Sequence, residues 1–461
     1  VTSVRPGGFG ATAAFVADLR STLGARSVVT DPEITASHGT DWTGRFVAPP
    51  PVVVRPSSAA EVEAVVAAGR AHGVALVAQG GNTGLVGGAT PLDGEAVVDL
   101  RALDAVTDVD PLGGQLTAGA GVTIAAVQAA ATAAGWAYGV DWAARDTATV
   151  GGSIATDAGG LRFVRHGGTR RQLLGVAAVF GSGLVVEHLP LVEKDNTGYD
   201  LGALLCGSEG TLGLVTSARL RLVAPPRPAA TALVGFDRLD DAVAAASLLR
   251  RHVAGLEAVE LVLRDGVALV RTVTGLAAPL AADPAVLLLV EVSDDRDPAA
   301  ALVDAVAGLS GVVDAAVADG GPRRAQLWRY REEHTNAINT LGAPHKFDVT
   351  LPASELAGFV ADAPALVQAV APGARTWLFG HAADGNVHVN VTGLAADDET
   401  VAEAVLTEVA ARGGSISAEH GIGRAKRSWL HLARSDGDRA AMASIRAALD
   451  PDGICNPHVL L

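Results

Sequence analysis

Three glycine-dense stretches in the first half of the chain constrain its fold more than any other feature. They are Gln79-Gly80-Gly81-Asn82-Thr83-Gly84-Leu85-Val86-Gly87-Gly88, Val150-Gly151-Gly152-Ser153-Ile154-Ala155-Thr156-Asp157-Ala158-Gly159-Gly160 and Cys206-Gly207-Ser208-Glu209-Gly210-Thr211-Leu212-Gly213. Runs this rich in Gly, Ser and Thr weaken helix and strand interiors and favour tight loops. Around the first run the pattern is strand, helix, strand. Residues 52–55 are apolar and β-branched, Ser58 followed by Glu61 reads as a helix start, and the helix stops near Gly73. Residues 74–78 and 96–100 read as strands. The first run is not a dinucleotide fingerprint, because it leads toward Pro91 rather than opening a helix, and no lysine follows to make a P-loop. Successive small residues can instead turn backbone N–H groups inward as a nest for phosphate. One such loop is no more than a pair of turns; three point to a large phosphate-bearing cofactor.

The segment Ala224-Pro225-Pro226-Arg227-Pro228 reads as a domain boundary. Beyond it, strands at residues 231–236, 259–263 and 285–292 alternate with helices at 240–251 and 298–309, and a longer helix is expected over 323–340. A length of 461 residues suits two or three domains. The net charge of −15 argues against nucleic acid and anionic membrane surfaces, which need a basic stripe. Two cysteines, Cys206 and Cys455, cannot hold an iron–sulfur cluster, and a reducing, cytoplasmic setting is the default. Residues 1–5 show no secretory signal. The uncharged run between Asp110 and Asp141 lacks the apolar density of a membrane span and reads as a packed helix. Only three lysines occur, Lys194, Lys346 and Lys426.

Taken together with Lys194-Asp195-Asn196-Thr197-Gly198-Tyr199-Asp200-Leu201, the three runs resemble the FAD-binding domain of the vanillyl-alcohol oxidase/p-cresol methylhydroxylase superfamily. The resemblance implies non-covalent FAD. The first loop (Gln79, Gly80, Gly81, Asn82, Thr83, Gly84, Gly87, Gly88) would hold the pyrophosphate. Thr147, Gly151, Gly152, Asp157, Gly159 and Gly160, with Glu209, Gly210 and Leu212, would surround the rest of the cofactor. Where relatives carry Asn and Tyr this chain has Asp157 and His166; a covalent flavin link through His166 is not expected.

Gly380-His381-Ala382-Ala383-Asp384-Gly385-Asn386-Val387-His388-Val389-Asn390 can be read from physics alone. Asp-Gly between apolar runs signals a hairpin. A two-residue turn at Asp384-Gly385 would set Ala383 opposite Asn386 and His381 opposite His388, with Asn390 on the same face. Two imidazoles so placed can bind one metal. Ser417-Ala418-Glu419-His420-Gly421 adds a carboxylate and a third imidazole. In an extended strand Glu419 and His420 would point oppositely; either a bend relaxes this or His420 faces another wall of the same cavity.

Both C-terminal motifs resemble the FAD-dependent D-2-hydroxyacid dehydrogenases, and the form Ser417-Ala418-Glu419-His420 resembles their D-2-hydroxyglutarate branch. The resemblance implies His381, His388 and Glu419 as ligands of a divalent zinc or manganese ion and His420 as the catalytic base. It implies Arg331, Thr335, Lys346, His381, Asn390 and His420 at the substrate, and Asn456 at the flavin. Lys426 and Arg427 read as surface charges, and Cys455 as a packed thiol. The implied fold is α+β: a p-cresol-methylhydroxylase-type FAD domain at 1–225, a cap domain with an antiparallel sheet at 226–424, and a segment at 425–461 returning to the FAD domain. The implied function is oxidation of a D-2-hydroxyacid, foremost D-2-hydroxyglutarate, to the 2-oxoacid. Electrons would pass to an electron-transfer flavoprotein, a quinone, a cytochrome or oxygen. D-lactate or glycolate oxidation, an alkylglycerone-phosphate-synthase-like flavoenzyme and a non-catalytic FAD-binding subunit are the alternatives. A homodimer is compatible with this class.

Overall fold

The structure is a computed structural model in which residues 11–395 and 398–461 are described. Residues 1–5, read above for a secretory signal, lie outside them. The chain divides into two compact units. One comprises residues up to Gly160, Gly167–Pro225 and Glu419–Leu461; the other comprises Leu161–His166 and Pro226–Ala418.

Among the described residues the first unit carries two sheets. Strands β1 (Val28–Val29), β2 (Val53–Val54), β3 (Leu76–Gln79) and β4 (Ala96–Asp99) form the smaller one, in the order β1-β2-β4-β3. The β2–β4 and β3–β4 pairs are parallel, as a strand–helix–strand pattern requires. The crossover helix Ala59–His72 begins at Ser58, whose side chain accepts from the Glu61 N–H, and ends at Gly73. Its Val62, Val65 and Val66 are buried with Leu76 and Val98 in one core, each worth about 1.5–3 kcal/mol of hydrophobic stabilisation.

Strands β5 (Val106–Asp110), β6 (Gln115–Gly119), β7 (Leu173–Phe180), β8 (Val185–His188) and β9 (Gly213–Arg221) make an antiparallel sheet ordered β5-β6-β9-β7-β8. The uncharged run after Asp110 is not one helix. It supplies β6 and then the helix Ile124–Ala133, because the glycines at 119 and 121 separate two differently patterned halves.

The second unit is built on seven strands: β10 (Ala229–Phe236), β11 (Leu256–Leu263), β12 (Val286–Ser293), β13 (Val312–Ala318), β14 (His345–Thr350), β15 (Arg375–His381) and β16 (Asn386–Thr392). All their pairs are antiparallel, in the order β13-β10-β12-β11-β15-β16-β14. One face packs on Val259, Leu261 and Leu302. The other packs Val262, Trp377 and Phe379 against Tyr330 and Ile338. The helix expected over 323–340 is interrupted: Gly321–Glu332 and His334–Asn339 are separate, with Glu333 between them at ψ −4°, well short of helical twist. Among the described residues no helix is long and apolar enough to cross a membrane.

Candidate active site

In the first unit the three glycine-rich runs converge. A Cβ at Gly80 would strike the Thr149 hydroxyl, and one at Gly81 would strike the Thr147 carbonyl, so only glycine lets the first loop approach the second so closely. The second run is not wholly a loop. Thr149 caps a short helix, Val150–Thr156, and Asp157 ends it in the left-handed region, where its carboxylate meets Arg170 Nε at 2.8 Å. Gln79 is buried and donates to the His38 and Ala89 carbonyls, and Asn82 donates to the Thr40 carbonyl. Open space surrounds Gly84.

The C-terminal segment closes this cluster. Asn456 Nδ2 donates to the Gly88 and Glu209 carbonyls at 2.8 and 2.9 Å. The Glu209 carboxylate accepts from the Ile422 and Gly423 N–H groups, both at 2.7 Å, and burial pushes its pKa up. Lys426 is only 3% exposed and acts on Glu209. The surface placement expected for it is wrong: a buried carboxylate nearby recruits the cation inward. Cys455 is fully buried, as expected for a packed thiol.

Two observations show that these residues suit a phosphate-bearing cofactor such as FAD. Among the described residues, no backbone N–H from Gly81 to Gly88 donates a hydrogen bond, leaving a run of donors for an anion. The buried Asn456 Oδ1 likewise lacks a partner among the described residues. Five described non-glycine residues have positive φ, and four are cofactor candidates: Asn82, Asp157, Glu209 and Asn456. Such strain collects at binding sites.

Glu419 accepts from Gly160 N–H at 3.1 Å. Residues 418–420 bend rather than extend. His420 Nε2 consequently lies 3.7 Å from Glu419 Oε1, and the opposite-facing geometry of a strand does not arise.

In the second unit the hairpin forms, but its register differs from the expected one. His381 pairs with Asn386, and His388 pairs with Phe379. Residues 382–385 form a four-residue loop because Ala382 leaves β15, its N–H donating to the Val259 carbonyl on β11. The shift of two residues preserves the face. The His381 and His388 rings are diagonal neighbours with centroids 5.3 Å apart.

Flanking strands bring two carboxylates to the same face. Glu260 on β11 pairs with His381 and accepts from its Nδ1 at 2.7 Å. Asp348 on β14 pairs with His388, Oδ1 to Nδ1 3.4 Å, and also accepts from Asn386 Nδ2 at 2.7 Å. Lys346 stands opposite Asn390 one row away, and burial pushes its pKa down. The helix Gly321–Glu332 lowers Arg331 onto this face, Cζ 4.6 Å above the Phe379 ring, with Nε donating to Glu260 Oε2 at 2.6 Å. Arg331 is 7% exposed, so it is no solvated helix charge. Burial pushes Glu260 up, but the His381 and Arg331 charges prevail and hold it below the usual range. Thr335 is half-buried one turn beyond.

Sequence reading missed Glu260 and the pairing of Asp348 with His388. The available signal for Glu260 was one acid inside an apolar strand. Two imidazoles, two carboxylates and a guanidinium thus meet on one face of the sheet, donor types from which a metal site or an anion site can be built.

Comparison with known proteins gives the family and the fold. Residues 225–460 match the family model described as FAD linked oxidases, C-terminal domain, and residues 50–188 match the one described as FAD binding domain. The chain is 36% identical to a D-2-hydroxyglutarate dehydrogenase of Xanthomonas citri pv. viticola, covering 96% of each. It is 31% identical to the mitochondrial D-2-hydroxyglutarate dehydrogenase of Arabidopsis thaliana, over 97% of this chain and 81% of that one. The structure of p-cresol methylhydroxylase aligns over 97% of each chain with a TM-score of 0.77 at 15% identity, which shows the shared two-domain α+β fold. By sequence and by fold, the chain is an FAD-dependent oxidoreductase that belongs to the FAD-linked oxidase family.

Proposed function

We propose that the protein oxidises a D-2-hydroxyacid, foremost D-2-hydroxyglutarate, to the 2-oxoacid. The observation that carries this reading is the β15–β16 histidine pair, 5.3 Å apart, with a carboxylate behind each ring and Arg331 on the same face. The names of the relatives support the choice of substrate.

In this reading His381, His388 and Glu419 hold a zinc or manganese ion. Arg331, Lys346, Thr335 and Asn390 bind the substrate's carboxylates, the planar guanidinium suiting a two-point contact. His420 takes the proton of the 2-hydroxyl. When bound, the metal supplies Lewis acidity at that hydroxyl and non-covalent FAD supplies the acceptor for the hydride from Cα. The loop donors from Gly81 to Gly88 and the amide of Asn456 hold the cofactor. The external electron acceptor would be an electron-transfer flavoprotein, a quinone or a cytochrome. A reducing compartment such as the cytoplasm suits the buried free thiols Cys206 and Cys455.

FAD-loaded protein mixed anaerobically with D-2-hydroxyglutarate should lose its yellow absorbance. Failure to bleach with that compound, D-malate, D-lactate and glycolate alike would overturn the substrate class. His388→Ala should retain FAD but lose the metal and turnover; full turnover after complete chelation would remove the metal from the reaction.

A further inference from the structure

β11 lies at the centre of the seven-stranded sheet, and its Val262 belongs to the apolar core beside Phe379 and Trp377. Glu260 faces the same way two residues earlier and is 1% exposed. A carboxylate there carries a large desolvation cost, and a valine would serve packing better. Its two oxygens serve separate partners. Oε1 accepts from His381 Nδ1 at 2.7 Å, and Oε2 accepts from Arg331 Nε at 2.6 Å.

Each contact orients the far side of its partner. An imidazole whose Nδ1–H is held by a carboxylate is fixed in the tautomer with a lone pair on Nε2, the form that ligates a metal. A guanidinium held by Nε has its plane set, which fixes the directions in which its terminal N–H groups point. Among the described residues, Arg331 donates no hydrogen bond from those terminal nitrogens.

We propose that Glu260 is a positioning residue that yokes the metal ligand His381 to the carboxylate anchor Arg331, so that one buried side chain sets both the metal affinity and the substrate-carboxylate affinity of the site. The proposal rests on the function proposed above, in which His381 binds metal and Arg331 binds substrate.

The test is Glu260→Gln in the FAD-loaded protein. The amide keeps the length but loses the charge, and its one oxygen cannot accept from both His381 Nδ1 and Arg331 Nε, so the hold on each partner weakens. Three quantities are measured: FAD content, the dissociation constant for Zn²⁺ or Mn²⁺ by chelator competition, and binding of 2-oxoglutarate to metal-free protein by its perturbation of the flavin spectrum. The expected result is unchanged FAD content, metal affinity weakened about 10–100-fold, and 2-oxoglutarate binding weakened at least several-fold without metal. A merely structural glutamate would lower FAD content and melting temperature and leave the metal affinity of the folded fraction alone. Metal affinity within twofold of wild type overturns the proposal, as does 2-oxoglutarate binding within twofold. If Glu260→Gln does not fold, Glu260→Asp keeps the charge one methylene short, and the same measurements and limits apply. Wild-type protein that binds no metal overturns the proposed function and this inference together; a metal-binding wild type with an unchanged variant overturns the role of Glu260 alone.

Discussion

His334 shows how one residue beside the site couples packing to pH. It is 1% exposed, its ring centroid lies 5.1 Å from that of Phe379 at a tilt of 50°, and the backbone of Tyr330 and Arg331 offers it only weak hydrogen bonding. Burial first, and the Arg331 charge second, push its pKa from 6.5 down to about 3. Between those values the unfolded chain binds a proton that the folded chain refuses, so stability rises with pH. The contribution is complete above about pH 6.5 and is lost as pH falls toward 3. His334→Leu should flatten this part of the stability–pH curve. At pH 7 the change should be small, within about 1.5 kcal/mol, the net worth of a neutral hydrogen bond. Urea midpoints from pH 7 to pH 4 provide the check, and parallel curves for variant and wild type would contradict it. At this scale the sequence was partly legible. His381, His388 and Asn390 could be set on one face because strand periodicity is two. Glu260 could not, because an acid in an apolar strand shows its meaning only when a distant arginine and a histidine arrive beside it.

Among elements, the β15–β16 hairpin carries most of the candidate site, and its Asp384-Gly385 pair was visible in the sequence. The register was not, because it depends on Ala382 leaving the strand to bond Val259, a partner more than a hundred residues away. A slip of one residue would have turned both histidines to the opposite face; the actual difference of two did not. Gly385 holds the loop at φ +82°, and a Cβ there would strike the Leu351 carbonyl. Gly385→Ala should therefore cost about 1–3 kcal/mol through backbone strain and the clash. The measurable result is a lower melting temperature together with weakened metal binding, since the same loop sets the His381–Asn386 register that makes the two histidines neighbours. Unchanged melting and metal affinity would show that the turn tolerates a side chain. The broken helix before Thr340 had no comparable signal, because neither proline nor glycine marks Glu333.

For the whole molecule, the proline-rich stretch at 224–228 was legible as a boundary, whereas the membership of Leu161–His166 in the second unit was not. That segment is held by Arg162 to Glu257 and Glu291 and by Arg165 to the Ala254 carbonyl, side-chain pairings that leave no local pattern. The acidic balance proved compatible with an anionic cofactor, because the first loop offers backbone donors instead of cations. Completion of the first unit falls to its last stretch. Arg424 joins Glu95 at 2.7 Å and Asp93 at 3.1 Å, and its N–H donates to the Val86 carbonyl at the end of the first loop. Leu76 N–H donates to Ile454, and Asn456 N–H donates back to Leu76, so the segment borders β3 as well. Glu95 is completely buried. Arg424→Met would leave that carboxylate only the Asp93 N–H at 2.7 Å and the His458 ring at 3.9 Å, at a cost of up to about 3 kcal/mol. The same stretch supplies Asn456 and the Ile422 and Gly423 donors to Glu209, so loosening it should release flavin before the unit unfolds globally. A urea titration followed by flavin fluorescence and circular dichroism would then show FAD release at a lower midpoint than loss of helix, with the gap wider than in wild type. Adding Glu95→Gln should recover much of the loss, because removing both charges leaves no stranded ion. Recovery would place the effect in the buried pair; a double variant as weak as the single one would place it instead in the lost packing of the arginine stem.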